Sequence, residues 1–280
     1  MTSSETLAPD PAFPGWITLG SLLLILLVTG VSLTGILIPE KIYPEKELAL
    51  SFVPMDIVNL VMAVPLMLLS LFLIHRKKLI GSLCLPGILF YLFYVYLGYL
   101  IGLQMNILFL FYLLVVLLST AGTILLLFRM NSRRIKSRLE GQVPVKTSGW
   151  IIAVIAIAIL VFQLWSIVRS LSLQTEVDRV TLAQWIDDLV IGTPALLVSG
   201  IHMIRRSSFG YLAATSVLLL LSMLFIGLIP VMIAEGVLSG TPVKMADLLI
   251  IAISSLICLI PLGIVVRGVL KAKRTEIVRT

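Results

Sequence analysis

The stretch DIVNLVMAVPLMLLSLFLIHRKKLIG, Asp56 to Gly81, decides the fold class. From Leu60 to Ile74 Ser70 is its only polar side chain, and it then breaks into His75, Arg76, Lys77 and Lys78 before apolar sequence resumes. A long apolar run, a short basic turn and a second run predict two antiparallel membrane-spanning helices. The same arrangement recurs in DLVIGTPALLVSGIHMIRRSSFG, Asp188 to Gly210. Aligned without a gap, Asn59 meets Asp188, Pro65 meets Pro194, Ser70 meets Ser199, Arg76 and Lys77 meet Arg205 and Arg206, and Gly81 meets Gly210. Two further copies of one start, GWI at Gly15 and again at Gly149, open helices one and five. The expectation is an internal duplication.

Composition extends this reading to the whole chain. Its 280 residues are 59% hydrophobic and 12% charged, with a mean hydropathy of +1.13. A soluble domain carries about 25% charged residues, so this is the composition of a polytopic membrane protein. Eight runs meet the roughly 20-residue requirement for a span: 16–38, 52–74, 79–101, 105–128, 149–171, 186–204, 208–234 and 247–270. The longest connection, RMNSRRIKSRLEGQVPVKTSG from Arg129 to Gly149, divides them four and four. The expected organisation is all-α: a tail (1–15), a four-helix repeat (16–128), a basic loop (129–148), a second four-helix repeat (149–270) and a basic tail (271–280). An even number of helices per copy makes the repeats parallel, related by an axis along the membrane normal.

Charge sets the expected orientation. Connections 2–3, 4–5 and 6–7 and the C-terminal region hold sixteen of the 21 Lys and Arg residues, whereas ten of the 14 acids lie on the other side. The basic side, with both termini, is expected to be cytoplasmic. The net charge of +7 is thus a topological bias, and no nucleic-acid partner is expected. The opening residues lack a basic n-region, so the first helix is read as retained rather than cleaved. Cys84 and Cys258 lie inside apolar runs and make neither a disulfide framework nor a metal pattern.

Polar residues in the spans carry the functional expectation. Asp56, Asn59, Asp187 and Asp188 stand at the starts of the second and sixth runs, and Asn106 and Asp247 begin the fourth and eighth. Capping of a first turn explains one such residue per helix. The excess in helices two and six points instead to a solute or cation site, with Arg169 as counter-ion to Asp187 or Asp188. Pro65 and Pro194 lie well inside their helices, where each deletes a backbone hydrogen bond and opens the chain near Val61 and Val190. Tyr91, Tyr94, Tyr96 and Tyr99 spread around helix three and read as an interfacial aromatic belt. His202 reads as interfacial, beside Arg205 and Arg206. No zinc-protease, nucleophile-elbow or phosphate-loop motif is present, so neither an enzymatic activity nor a cofactor or metal is expected.

The stretches VPMDIVNLVMAVPLMLLSLFLI, LPGILFYLFYVYLGYLIGLQMNILFLFYLL and LICLIPLGIVVRGVL resemble a prokaryotic multi-pass membrane family of unassigned activity. The resemblance implies a bacterial or archaeal cytoplasmic membrane and brings no ligand or catalytic residue with it. The leading expectation is a permease-like protein for a small solute or ion, with an outward-facing acidic site between the repeats. The alternative is a membrane scaffold or accessory subunit whose basic loop docks a cytoplasmic protein. An interior polar site argues for the first, acids confined to caps for the second.

Overall fold

The computed structural model describes residues 15–240, 243 and 245–278. It is helical, with no strand among the described residues, and eight helices are long and apolar enough to span a membrane. They are α1 (Gly15–Leu37), α2 (Lys46–His75), α3 (Leu79–Gly102), α4 (Phe109–Arg129), α5 (Val145–Leu173), α6 (Arg179–Ile204), α7 (Ser208–Ser239) and α8 (Met245–Val278). Two short helices, Pro39–Ile42 and Ser132–Leu139, lie in the connections after α1 and α4. The chain is a multi-pass membrane protein.

Several boundaries differ from the sequence reading. α2 begins at Lys46 rather than 52, and α6 at Arg179 rather than 186. Counting apolar residues finds the lipid-immersed part of a helix but misses the amphipathic turns that continue it into the interface. The connection expected as a basic loop at 129–148 holds the helix Ser132–Leu139, whose Ile135 and Leu139 are buried, and α5 already starts at Val145. α8 continues to Val278, through most of the expected tail, while the expected N-terminal tail up to residue 14 and residues 279–280 lie outside the described residues.

The bundle has a basic end, at the α2–α3, α4–α5 and α6–α7 connections, and an acidic end opposite. Arg129 at the end of α4 stacks over Trp16 at the start of α1, which fixes both at the basic end. At the acidic end Ser51 of α2 donates to Glu235 of α7 (3.0 Å), and Gln104 donates to Glu45 (3.1 Å).

α3 and α7 form the middle. α3 packs against α2, α4, α6 and α7, and α7 against α2, α3, α6 and α8. Leu83, Leu85, Ile88, Leu218 and Leu221 are sealed from solvent at this junction. Lipid tails are as apolar as leucine, so helices associate through close packing rather than through a hydrophobic drive. Gly87 provides that packing: a Cβ there would lie 2.3 Å from the Ser216 carbonyl oxygen of α7. Ser216 in turn donates its hydroxyl to the Leu83 carbonyl (2.6 Å).

The two basic hairpins close in the same way. Lys77 and Arg206 take left-handed φ values of 52° and 50°. Lys78 N–H donates to Leu73 and Lys77 N–H to Ile74 (2.9 and 2.8 Å), while Ser207 donates to His202 and Arg206 to Met203 (both 3.0 Å). Both are Schellman caps, which satisfy the last carbonyls of α2 and α6. Gly81 then lies under Leu73 and Ile74, and Gly210 under His202 and Met203, each too close for a Cβ. His202 Nδ1 lies 3.0 Å from the Ser207 hydroxyl within this turn.

Gly87→Ala is expected to destabilise the bundle by about 1–3 kcal/mol through overpacking. Gly263→Ala, where nothing lies within 4 Å of the added methyl, is expected to be neutral or slightly stabilising. Thermal unfolding of both variants in detergent checks this.

Candidate functional site

The acids read from the sequence at the starts of the second and sixth runs lie deep in their helices. With α2 starting at Lys46, Asp56 falls about three turns in, and Asp187 falls about two and a half turns into α6. The caps lie elsewhere: at α6 the Asp178 side chain accepts from the Thr181 N–H (2.9 Å) and the Thr181 hydroxyl (2.6 Å). Burial pushes the Asp178 carboxyl up, but its hydrogen bonds from Thr181 and neighbouring N–H groups outweigh this and hold it below its ordinary value. Asn106 does behave as a start signal, accepting from the Leu108 N–H (2.9 Å) just before α4.

Both prolines follow a widened turn. Residues Asn59–Ala63 of α2 and Asp187–Gly192 of α6 are π-helical, with Val64 N–H bonded to the Asn59 carbonyl and Thr193 N–H to the Asp188 carbonyl. Proline has no N–H and its ring collides with the carbonyl four residues back. A π turn shifts the register to five residues and relieves that collision without breaking the helix, and such turns recur at functional sites. Val61 and Val190 themselves are exposed on the lipid-facing side.

Asp56 is buried in a shell of tyrosines. Tyr43 donates to its Oδ2 (2.6 Å) and Tyr99 to its Oδ1 (3.0 Å). Gly35 of α1 makes room, because a Cβ there would fall 2.1 Å from Asp56 Oδ2. One turn on, Tyr91 donates to Asn59 Oδ1 (3.1 Å), and Asn59 Nδ2 is buried without a partner. Tyr96 pairs with Ser32 of α1 (3.2 Å). The rings of Tyr96, Tyr99 and Tyr112 lie 5.1–6.0 Å apart in tilted, stacked and edge-on contacts.

The second centre meets the same helix through Tyr94 and Gly98. Asp188 accepts from Tyr94 of α3 and from Gln163 of α5. Asp187 is 3% exposed, its Oδ1 has no partner, and its Oδ2 points at Gly98 of α3, 3.1 Å from where a Cβ would stand. The nearby Thr193 hydroxyl is also buried and unpaired.

Two expectations change. Tyr91, Tyr96 and Tyr99 are no belt: each is at most 1% exposed, and with Tyr94 they supply hydroxyls to polar groups on α1, α2 and α6. Arg169 is exposed and lies over Trp165, 5.3 Å from the ring centroid, with no ion pair to either acid. The partner that α5 offers is Gln163, six residues earlier; six residues turn about 240° around a helix, so Arg169 faces away. Tyr43, Tyr112, Gln163 and Ser32 were missed. Six of the seven tyrosines in the chain stand near the level of the acids in this bundle, and that coincidence was the available signal.

The sequence-predicted residues therefore form two clusters against α3, Asp56 with Asn59 and Asp187 with Asp188, and Arg169 joins neither. Among the described residues no group of three metal-ligating side chains exists. In comparison with known proteins, no family model matches the chain, and neither curated proteins nor solved structures gave a match.

Tyr43→Phe removes the shorter of the two phenol bonds to the buried Asp56 carboxylate and is expected to cost about 1–3 kcal/mol. Asp178→Ala removes a cap and is expected to cost about 1 kcal/mol, with Asp178→Asn nearly silent. Because the Asp178 carboxyl is held low in the folded state, its contribution is present above the unfolded value and lost as pH falls through the folded one. Equilibrium unfolding of the three variants, with the Asp178 pair repeated at acid pH, checks these values.

Proposed function

We propose that the protein is a permease-like carrier of a small cation or cationic solute, with Asp187 and Asp188 as its binding centre. The observation that carries the reading is the Asp187 carboxylate: buried, one oxygen without a donor, and beside a second carboxylate. Its neighbours supply only neutral donors, Tyr94 and Gln163, and those go to Asp188. A desolvated carboxylate with no counter-ion costs several kcal/mol unless a positive species joins it. The adjoining π turn and Pro194 support the reading, since interrupted helices at matching places in two halves mark carrier sites.

Duplication is part of the proposal. The π turns, the prolines, the Schellman caps and the buried glycines of α2–α3 and α6–α7 all correspond at one spacing, with Lys77 matched to Arg206 and Gly81 to Gly210. The two copies are chemically unequal, because Asn59 stands where the other half has Asp188. Asp56 and Asn59 then form a closed polar centre and Asp187 and Asp188 a ligand-accepting one. In this reading the basic end is cytoplasmic, the membrane is that of a prokaryote, the acidic centres open outward, and the protein is not an enzyme.

Thermal unfolding across monovalent cations, divalent cations and small organic amines tests the reading. A ligand at ~100 times its dissociation constant stabilises the native state by about 2.7 kcal/mol. The expected outcome is a raised melting temperature with at least one cation, lost in Asp187→Asn/Asp188→Asn. A panel that shifts neither protein removes the carrier reading and leaves the accessory subunit, with a protein partner at the basic connection 129–148.

A further inference from the structure

We propose that the buried tyrosines at the acidic end form a proton relay that loads and unloads Asp56. The inference rests on reading Asp56 as a functional group, and it is independent of which cation the Asp187 centre takes.

Asp56 is the inner end of a line of hydroxyls. Tyr43, in the connection between α1 and α2, donates to Asp56 Oδ2 at 2.6 Å. The Tyr112 hydroxyl stands within electrostatic reach of Tyr43 and Asn106 but in bonding geometry with neither. Asn106, half-buried in the α3–α4 connection, holds the Ile42 carbonyl with its amide (3.3 Å), which fixes this outer end beside Tyr43. From the loop inward the order is thus Asn106, Tyr112, Tyr43, Asp56, with Tyr99 bracing the far carboxylate oxygen.

The unpaired Tyr112 hydroxyl is the telling feature. A buried hydroxyl without a partner costs about 1–3 kcal/mol, so for packing alone phenylalanine would serve better at this 1%-exposed position. Asn59 Nδ2, one turn from Asp56, is a second unpaired buried donor in the same cluster. Two unpaired donors around one carboxyl fit a chain completed by water or by rotation of a hydroxyl. Among the described residues no charged side chain neutralises Asp56 from any element packed on it. α1 presents Ser32 and Gly35, α3 presents Tyr96 and Tyr99, and α4 presents Tyr112. The nearest acid on α7, Glu235, is held by Ser51 at the rim.

The transfer balances. Tyr43 gives its proton to Asp56 and takes another from Tyr112. Tyr112 takes one from a hydronium ion entering at the Asn106 loop, which leaves as water. Burial, and after it the Asp56 charge, hold the Tyr43 phenol far above its ordinary range, so it passes protons without resting as a phenolate.

Time-resolved infrared spectroscopy of the full chain in proteoliposomes, after a pH step, tests the relay. A protonated-carboxyl band that responds to the step and is lost in Asp56→Asn assigns the group. Asp56→Glu, which shifts the band, serves if the asparagine variant fails to fold. Tyr112→Phe is expected to slow the response about tenfold or more while keeping the fold. Tyr211→Phe, at the basic start of α7 and away from Asp56, keeps the wild-type rate. A carboxyl band that never responds, an unchanged rate in Tyr112→Phe, or equal slowing in both tyrosine variants overturns the relay. Because no solute enters this measurement, a negative cation panel beside a positive infrared result removes the carrier reading alone.

Discussion

A carboxylate placed among apolar helices has to be given hydrogen-bond donors, and most of this structure is arranged around that requirement. α3 meets it for both halves. Its Tyr91 and Tyr99 turn toward Asn59 and Asp56 of α2, and its Tyr94 and Gly98 toward Asp188 and Asp187 of α6. A helix that serves two neighbours in this way has to lie between them, and α3 is accordingly the most deeply buried of the eight. Its basic half, free of such duties, is where Gly87 lets α7 approach to backbone contact.

The two acidic centres solve the problem differently. Around Asp56 the donors are tyrosine hydroxyls on both oxygens, packed ring against ring, and the charge is enclosed. Around Asp187 and Asp188 two donors reach one carboxylate and the other keeps a bare oxygen. In the roles proposed for them the enclosed group exchanges a proton and the bare one accepts a cation, because a proton needs only a hydrogen-bonded path whereas a cation needs unfilled acceptors. The π turns begin at these centres: Asn59 and Asp188 each lie in one, six residues and nearly two turns before Pro65 and Pro194.

Hydrogen bonding also explains why proline does not break α2 or α6. In lipid no water replaces a lost backbone bond, so an interruption survives only if the chain re-satisfies its own groups. Widening the preceding turn does so, and it keeps Lys46–His75 and Arg179–Ile204 as single spans. The helix is altered at Pro65 and Pro194, as the sequence implied, but as a bulge and not an opening at Val61 or Val190.

What the amino-acid order determined by itself is the part governed by solvent: eight spans, a basic and an acidic end, and hairpins closed at Lys77 and Arg206. Apolar length and charge report directly on partition between lipid and water, so these were legible. Of the candidate site, the acids Asp56, Asp187 and Asp188 and the amide Asn59 were conspicuous in the sequence because a polar group in an apolar span stands out. Their partners were not. Tyr99 and Gln163 were chosen over a surface belt and over Arg169 by the rotation of α3 and α5 about their axes, and that angle is set by close packing. Contacts such as Gly87 on Ser216 fix it, and they join residues more than a hundred positions apart. Only the tertiary structure decides which face of each helix meets which neighbour, because in a bilayer every apolar face is equally content with lipid until another helix fits it better.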